Sequence, residues 1–82
     1  MTDADVLKQV NEIFIDVLDN ESIVLKRETV AKDVEEWDSL THIQLIVTVE
    51  KHFKIKFTAA EILKFRDVGH FCDEIIRKLG AS

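Results

Sequence analysis

The chain has 82 residues, of which 46% are hydrophobic, and its 16 acidic and 11 basic side chains give a formal net charge of −5. This length predicts a single domain over residues 1–82 with one small core and no room for a large catalytic cavity. The charge argues against nucleic acid as a partner, and the lack of a signal-peptide pattern or a membrane-length apolar run predicts a cytoplasmic protein that does not bind membranes.

The first segment of the chain has the periodicity of an amphipathic helix. From residue 3 to about residue 18, apolar side chains recur at intervals of three and four. They are Val6, Val10, Ile13, Phe14 and Val17. Residues 19–38 lose this period and collect polar and acidic side chains, which predicts a long ordered loop with a functional role.

Residues 39 to about 52 form the second predicted helix, with Asp38 or Ser39 as its cap. At about 100° per residue, its apolar side chains divide between two faces. The face expected in the core contains Leu45, Ile46, Val49 and Phe53. The second face contains Leu40, Ile43 and Val47. Apolar surface left over on a small helical protein is typical of a docking site.

A short link and a brief third helix follow. Ile55 and Phe57 alternate with lysines, which favours an extended segment. Thr58 and Glu61 have the spacing of a capping box and predict a helix that runs through Leu63.

The last predicted helix is capped by Asp67 and ends at Gly80. Together the elements predict an all-α bundle of three principal helices and one short helix, with the long loop between helices 1 and 2. The predicted core comprises Val10, Phe14, Val17, Leu45, Val49, Phe53, Phe71, Ile75 and Leu79.

The chemically informative segment is Asp38-Ser39-Leu40, at the predicted boundary between the loop and the second helix. A serine at this boundary is exposed and held in a fixed direction. A phosphodiester on its oxygen would lie at a helix N-terminus, where free N–H groups and the macrodipole favour an anion. The alternative is an ordinary helix cap, since Asp and Ser are preferred there whatever the function.

This tripeptide, within an acidic helix–loop–three-helix pattern, resembles the acyl carrier proteins over nearly the whole chain. The resemblance implies a free-standing, monomeric, non-catalytic phosphoprotein whose Ser39 carries 4′-phosphopantetheine. The arm comes from coenzyme A through a Mg²⁺-dependent phosphopantetheinyl transferase and holds acyl groups as thioesters. Further implied partners are acyl-loading and acyl-transferring or condensing enzymes. The bundle interior is expected to open and shelter an acyl chain.

The resemblance also implies roles for the residues around the attachment serine. It implicates Asp38 in contact with the transferase or its metal, and Leu40 as the first apolar contact of the recognition helix. The predicted partner face comprises Leu40, Ile43, Gln44, Val47, Glu50 and Lys51. Lys51 and Lys54 depart from the strongly acidic helix usual in fatty-acid-synthase carriers. The pathway stays open among fatty acid biosynthesis and lipid metabolism, specialised acyl or polyketide-type synthesis, and aminoacyl or peptidyl transfer.

Two other functions fit parts of the pattern. Asp38, Ser39 and His42 supply the residue types of a hydrolytic triad, but a triad also needs an oxyanion site and a cleft that this short chain is poorly sized to provide. A helical adaptor without a prosthetic group would use the second apolar face alone. An adaptor would tolerate Ser39→Ala apart from a cap loss of about 1 kcal/mol, whereas a carrier would lose all acyl loading.

The remaining reactive side chains have structural interpretations. Trp37 is expected to pack the loop onto the core, and His42 to form a hydrogen bond at the core face. His52 and His70 are expected at helix ends or on the surface. Cys72 is expected as a buried, inert thiol. No spacing of Cys and His resembles a metal site.

Overall fold

The computed structural model describes residues 2–65 and 67–81, and within those ranges it contains four α-helices, one 3₁₀ turn and no strand. The limits of the predicted domain, residues 1 and 82, lie outside the described residues. The α-helices are α1 (Asp3–Leu18), α2 (Ser39–Phe53), α3 (Ala59–Lys64) and α4 (Val68–Ala81), and the 3₁₀ turn covers Ala31–Asp33. The predicted all-α bundle with a long loop after the first helix is confirmed.

The prediction for the end of the last helix was wrong. Gly80 lies inside α4, which continues to Ala81. Its φ is not positive, so it does not form the left-handed turn by which a glycine ends a helix. Glycine permits that turn but does not impose it.

The predicted starts of the third and fourth helices are confirmed by their hydrogen bonds. At α3, the Glu61 N–H donates to Thr58 Oγ1 at 3.2 Å, and the Thr58 N–H donates to Glu61 Oε1 at 2.8 Å. At α4, the His70 N–H donates to Asp67 Oδ1 at 2.8 Å. Each bond satisfies an amide that has no partner within the helix itself.

The long loop is fixed to the start of α4 through its own backbone carbonyls. The Val68 N–H donates to the Thr29 carbonyl at 2.9 Å, and the Gly69 N–H donates to the Arg27 carbonyl at 2.8 Å. The first amides of α4 are thus satisfied by the loop. The Arg27 guanidinium bridges Asp3 on α1 and a carboxylate on α4. The predicted ordered loop is therefore an integral layer of the fold.

A polar side chain of α1 holds the other side of the loop. Asn11 Oδ1 accepts a hydrogen bond from the Leu25 N–H, and Asn11 Nδ2 donates to the Ile23 carbonyl at 3.2 Å. Both loop side chains are buried in the core. Asn11 therefore satisfies backbone groups that burial would otherwise leave without a partner.

The core lies where α1 packs against α2 and α4. Seven of the nine predicted core residues are buried, whereas Val17 and Leu79 are half-buried at its margin. The core is completed by loop and link residues that helical periodicity does not identify. They are Ile23, Leu25, Val34, Ile55 and Phe57.

Candidate functional site

Ser39 is the first residue of α2 and is exposed to solvent. The residue before it, Asp38, caps the helix: its Oδ1 accepts the N–H groups of Leu40 at 3.0 Å and Thr41 at 2.9 Å. In return, the Asp38 N–H donates to Thr41 Oγ1 at 2.8 Å. These reciprocal bonds fix the direction in which the serine leaves the backbone.

Thr41 is a part of the site that the sequence interpretation missed. Its hydroxyl also donates to the Glu36 carbonyl at 2.8 Å, which ties the end of the loop to the first turn of α2. The signal was present, because Thr41 stands three residues after Asp38, the spacing of a capping box.

The predicted anion site at this helix start needs a correction. Two of its amides, those of Leu40 and Thr41, already donate to Asp38. The hydrogen bond from the Thr41 amide, supported by the Thr41 hydroxyl and the Leu40 amide, holds the pKa of Asp38 below its ordinary value. An anion on Ser39 would therefore be stabilised by the helix dipole but repelled by the charged carboxylate of Asp38 beside it.

A groove of about 420 Å³ opens beside Ser39, between the end of the loop, the first turns of α2, and α3. It is lined mainly by apolar and aromatic side chains. Among them are Trp37, His42, Ile43, Ile62, Leu63 and Phe65. The exposed serine thus borders a concave surface on which an attached group can lie.

Trp37 and His42 form a hydrogen-bonded pair in the wall of this groove. Trp37 Nε1–H donates to His42 Nδ1 at 3.0 Å, and the two rings are stacked with their centroids 6.0 Å apart. The indole also packs edge-on against the buried Phe14, at 4.9 Å between centroids. The predicted packing of Trp37 and the predicted hydrogen bond of His42 are both confirmed.

The same geometry does not support a hydrolytic triad. His42 Nδ1 accepts a hydrogen bond from Trp37, and Nε2 lies 3.4 Å from the Ile62 carbonyl oxygen. Both ring nitrogens of His42 therefore already have partners within the fold. Within residues 2–65 and 67–81, Ser39 makes no hydrogen bond to His42. The serine therefore lacks the base that would activate it.

The two predicted faces of α2 are confirmed by burial. All four residues of the predicted core face are buried. On the second face, Leu40 is 71% exposed, Ile43 51% and Val47 41%. On the neighbouring helix α3, Leu63 is 85% exposed and extends this apolar surface across the groove.

The polar members of the predicted partner face differ in their surroundings. Gln44 and Lys51 are exposed. Glu50 is half-buried, and its Oε2 accepts a hydrogen bond from the Phe57 N–H at 2.8 Å. Glu50 thus holds the link after α2 in place, a role within the fold that the sequence did not indicate.

The remaining candidate residues lie outside the groove wall. His52 is exposed at the end of α2, with Nε2 2.7 Å from Gln9 Oε1, and His70 is half-buried in the first turn of α4. Cys72 is fully buried, as predicted, and desolvation raises the pKa of its thiol to about 12, which disfavours the reactive thiolate.

Two searches of the described part of the chain gave negative results. No group of three or more His, Cys, Asp or Glu side chains there is arranged to hold a metal ion. Across the same residues, no helix is both long enough and apolar enough to cross a bilayer.

Comparison with known proteins gave one family and two similar structures. The family model for the phosphopantetheine attachment site matches residues 8–75. The solution NMR structure of a holo acyl carrier protein from Geobacter metallireducens is 46% identical, with a TM-score of 0.87 over 93% of this chain and 87% of that one. A crystal structure of an acyl carrier protein from Thermotoga maritima has a TM-score of 0.86 over 96% of this chain and 92% of its own, and at 24% identity it supports the fold alone. A search of curated proteins gave no match.

Proposed function

Since the chain belongs to the acyl carrier proteins, a family with a phosphopantetheine attachment site, we propose that Ser39 is its attachment residue. Acyl carrier proteins are non-catalytic and hold 4′-phosphopantetheine covalently. When bound, this arm supplies the thiol on which an acyl group is held as a thioester. The observation that carries the assignment is the position of Ser39, exposed at the first residue of α2 directly after its cap.

The residues around Ser39 fit such an arm. The serine hydroxyl has no hydrogen-bond partner in the described part of the chain, so attachment breaks no contact of the fold. The apolar groove beside it offers Ile43 and Leu63 as a surface for the arm. The capping bonds of Asp38 and Thr41 hold the serine in one direction while an enzyme approaches.

Asp38 is the second residue to which we assign a role. Its carboxylate is exposed and, like any free aspartate, charged at neutral pH; the hydrogen bonds of the cap lower its pKa further. A carboxylate beside the reacting hydroxyl is suited to contact a cation or a basic side chain of the phosphopantetheinyl transferase. Because Asp38 also caps α2, its replacement would weaken both the contact and the helix start.

The exposed face of α2 is the proposed partner surface of the carrier. It presents Leu40, Ile43, Gln44, Val47 and Lys51, with Glu50 at its margin. Its partners would be the transferase and the enzymes that load, transfer or condense acyl groups. The exposed lysines support a specialised acyl pathway over the fatty acid synthase. The proposal includes a monomeric carrier in the cytoplasm.

The proposal is tested by intact-protein mass spectrometry after incubation with coenzyme A, Mg²⁺ and a broad-specificity phosphopantetheinyl transferase. We expect one phosphopantetheine increment on the wild-type protein and on Ser22→Ala, and none on Ser39→Ala. Ser22 is a matched control because it is another exposed serine, in the loop. Circular dichroism of all three proteins shows whether they are folded. An increment on folded Ser39→Ala, or none on the wild type, would refute the assignment.

The chemical class of the cargo is tested by loading the verified holo protein. Ligases that charge carriers with fatty acyl, short specialised acyl or aminoacyl groups are compared under identical conditions. Faster loading with a specialised acyl group than with a fatty acyl group is the expected result. Preferential aminoacylation would instead place the chain among the aminoacyl carriers.

A further inference from the structure

Five of the exposed residues of α2 lie in one stripe along the helix. At about 100° per residue, Leu40, Ile43, Gln44, Val47 and Lys51 fall within an arc of about 100°. From the first to the last of them, the stripe is about 16 Å long at 1.5 Å per residue. A single flat partner surface can therefore contact all of it.

The far end of this stripe carries positive charge that the fold does not neutralise. Lys51 and Lys54 are exposed, and neither forms an ion pair with any described residue. Both described arginines are paired, Arg27 with two carboxylates and Arg77 with Glu61 and another acid. Within the described part of the chain, Lys51 and Lys54 share their unpaired state with other exposed lysines, and they differ from those in lying at the end of the exposed stripe.

The acidic side chain nearest in sequence to these lysines is directed elsewhere. Glu50 is the only acid between residues 39 and 53, and its Oε2 accepts the Phe57 N–H at 2.8 Å. The carboxylate therefore serves the link after α2. At the end of α2, Lys51 and Lys54 thus present two exposed positive charges against the one half-buried carboxylate of Glu50, and we call these two lysines the cationic patch.

The near end of the stripe has the opposite charge. Asp38 caps α2 with an exposed carboxylate, and a phosphodiester on Ser39 would add a second negative charge. The stripe thus runs from negative at the attachment residue, through an apolar middle, to positive at Lys51 and Lys54. This polarity can set the direction in which a partner docks.

We infer that the enzyme that docks on α2 carries carboxylates opposite Lys51 and Lys54, beginning about 18 Å along the helix from Ser39, where it receives the arm. The inference rests on the proposed carrier function and names the chemistry of its partner. The acidic group must be a local patch at the edge of the partner surface, because the net charge of −5 repels a partner that is acidic throughout.

The test compares two carrier-dependent condensing enzymes of known structure. One has Asp or Glu on its docking surface about 18 Å from the entrance for the arm, where Lys51 would lie, and the other has Lys or Arg at that position. Each is assayed with acylated wild-type carrier, with the doubly substituted Lys51→Glu/Lys54→Glu, and with the control Lys8→Glu/Lys26→Glu. The control changes net charge by the same amount at exposed lysines away from the stripe. Intact mass first verifies modification of Ser39.

We expect the Lys51/Lys54 exchange to lower kcat/KM at least about tenfold with the acidic enzyme, mainly through KM, and to raise it with the basic enzyme. The control exchange should change both rates by less than about threefold, since screened charges away from the contact act weakly. Equal rates of the wild type and the Lys51/Lys54 variant with the acidic enzyme would overturn the inference. So would a lower rate of that variant with the basic enzyme.

Two further outcomes identify a different failure. If sedimentation shows that the holo carrier is a dimer that the Lys51/Lys54 exchange separates, the patch binds a second copy of this chain and the inference falls. If Ser39 accepts no phosphopantetheine, the carrier function itself fails, and the inference falls with it. A failed mass increment and an unchanged rate are therefore distinguishable results.

Discussion

Replacing Gly69 by alanine tests whether the contact between the loop and α4 stabilises the fold. A Cβ at this position would lie 2.9 Å from the Arg27 carbonyl oxygen and 3.2 Å from the Arg27 Cβ. The oxygen belongs to the backbone that accepts the Gly69 N–H, so it cannot move away without disturbing that hydrogen bond. The loop and the start of α4 would have to separate.

The expected magnitude follows from two opposing effects. Inserting a methyl group into a packed contact destabilises by about 1–3 kcal/mol. Alanine in place of a glycine inside a helix stabilises the helix by about 0.5–1 kcal/mol. The difference of these ranges has a middle value near 1 kcal/mol, so we expect Gly69→Ala to lower the free energy of unfolding by about 1 kcal/mol, or the unfolding temperature by about 4–8 °C.

The assay is urea and thermal unfolding followed by circular dichroism, with Gly80→Ala as the matched control. Nothing lies within 4 Å of a Cβ at Gly80, which is also in α4. That variant should be as stable as the wild type or more stable by up to about 1 kcal/mol. If Gly69→Ala were as stable as Gly80→Ala, the argument that the loop is docked through this close approach would be wrong.

Two further predictions concern the groove wall and α3. Trp37→Phe keeps an aromatic ring but removes the N–H that donates to His42 Nδ1. In a double-mutant cycle with His42→Phe, measured by urea unfolding, we expect a coupling energy of about 0.5–1.5 kcal/mol between the two residues. If the two substitutions have additive effects on the free energy of unfolding, the hydrogen bond contributes nothing and the prediction is wrong. The pKa of Glu61 is lowered from 4.5 to about 2, first by the hydrogen bond from the Thr58 backbone amide and second by the hydrogen bond from the Lys78 side chain. The stability that the Glu61 carboxylate contributes is therefore complete above pH 4.5 and is lost as the pH falls toward 2. In acid unfolding curves, the difference in free energy of unfolding between the wild type and Glu61→Gln should shrink over that interval. A difference that stays constant with pH would contradict the assignment.

The features predicted correctly from the sequence depend on residues close together in the chain. The caps at Thr58 and Asp67 rest on spacings of three residues, and each was found where expected. The two faces of α2 follow from helical periodicity alone. The choice of Ser39 as attachment residue stays a prediction; it rests on the same kind of local signal, since its neighbours Asp38 and Leu40 define a loop-to-helix boundary.

The features that were missed depend on contacts between distant segments. Asn11, on α1, forms hydrogen bonds with backbone groups of the loop, and the Gly69 N–H, on α4, donates to the Arg27 carbonyl. Neither pairing leaves a pattern that a single sequence would show. The direction of Glu50 also depends on a distant amide, that of Phe57. At Gly80 the sequence signal was ambiguous, because glycine permits both a helical and a left-handed backbone.

The division of α2 explains how a non-catalytic carrier can serve other enzymes. Its buried face and its cap at Asp38 fix the helix, and hence the direction of Ser39, through contacts that lie within the fold. The face on which Lys51 lies is exposed, so its charge can be changed with little effect on stability. A tether on Ser39 would raise the local concentration of its cargo at whichever enzyme that face selects. Partner choice and cargo presentation can therefore be changed separately. Replacing Lys51 and Lys54 by Glu should alter which enzyme binds without altering how Ser39 presents its cargo.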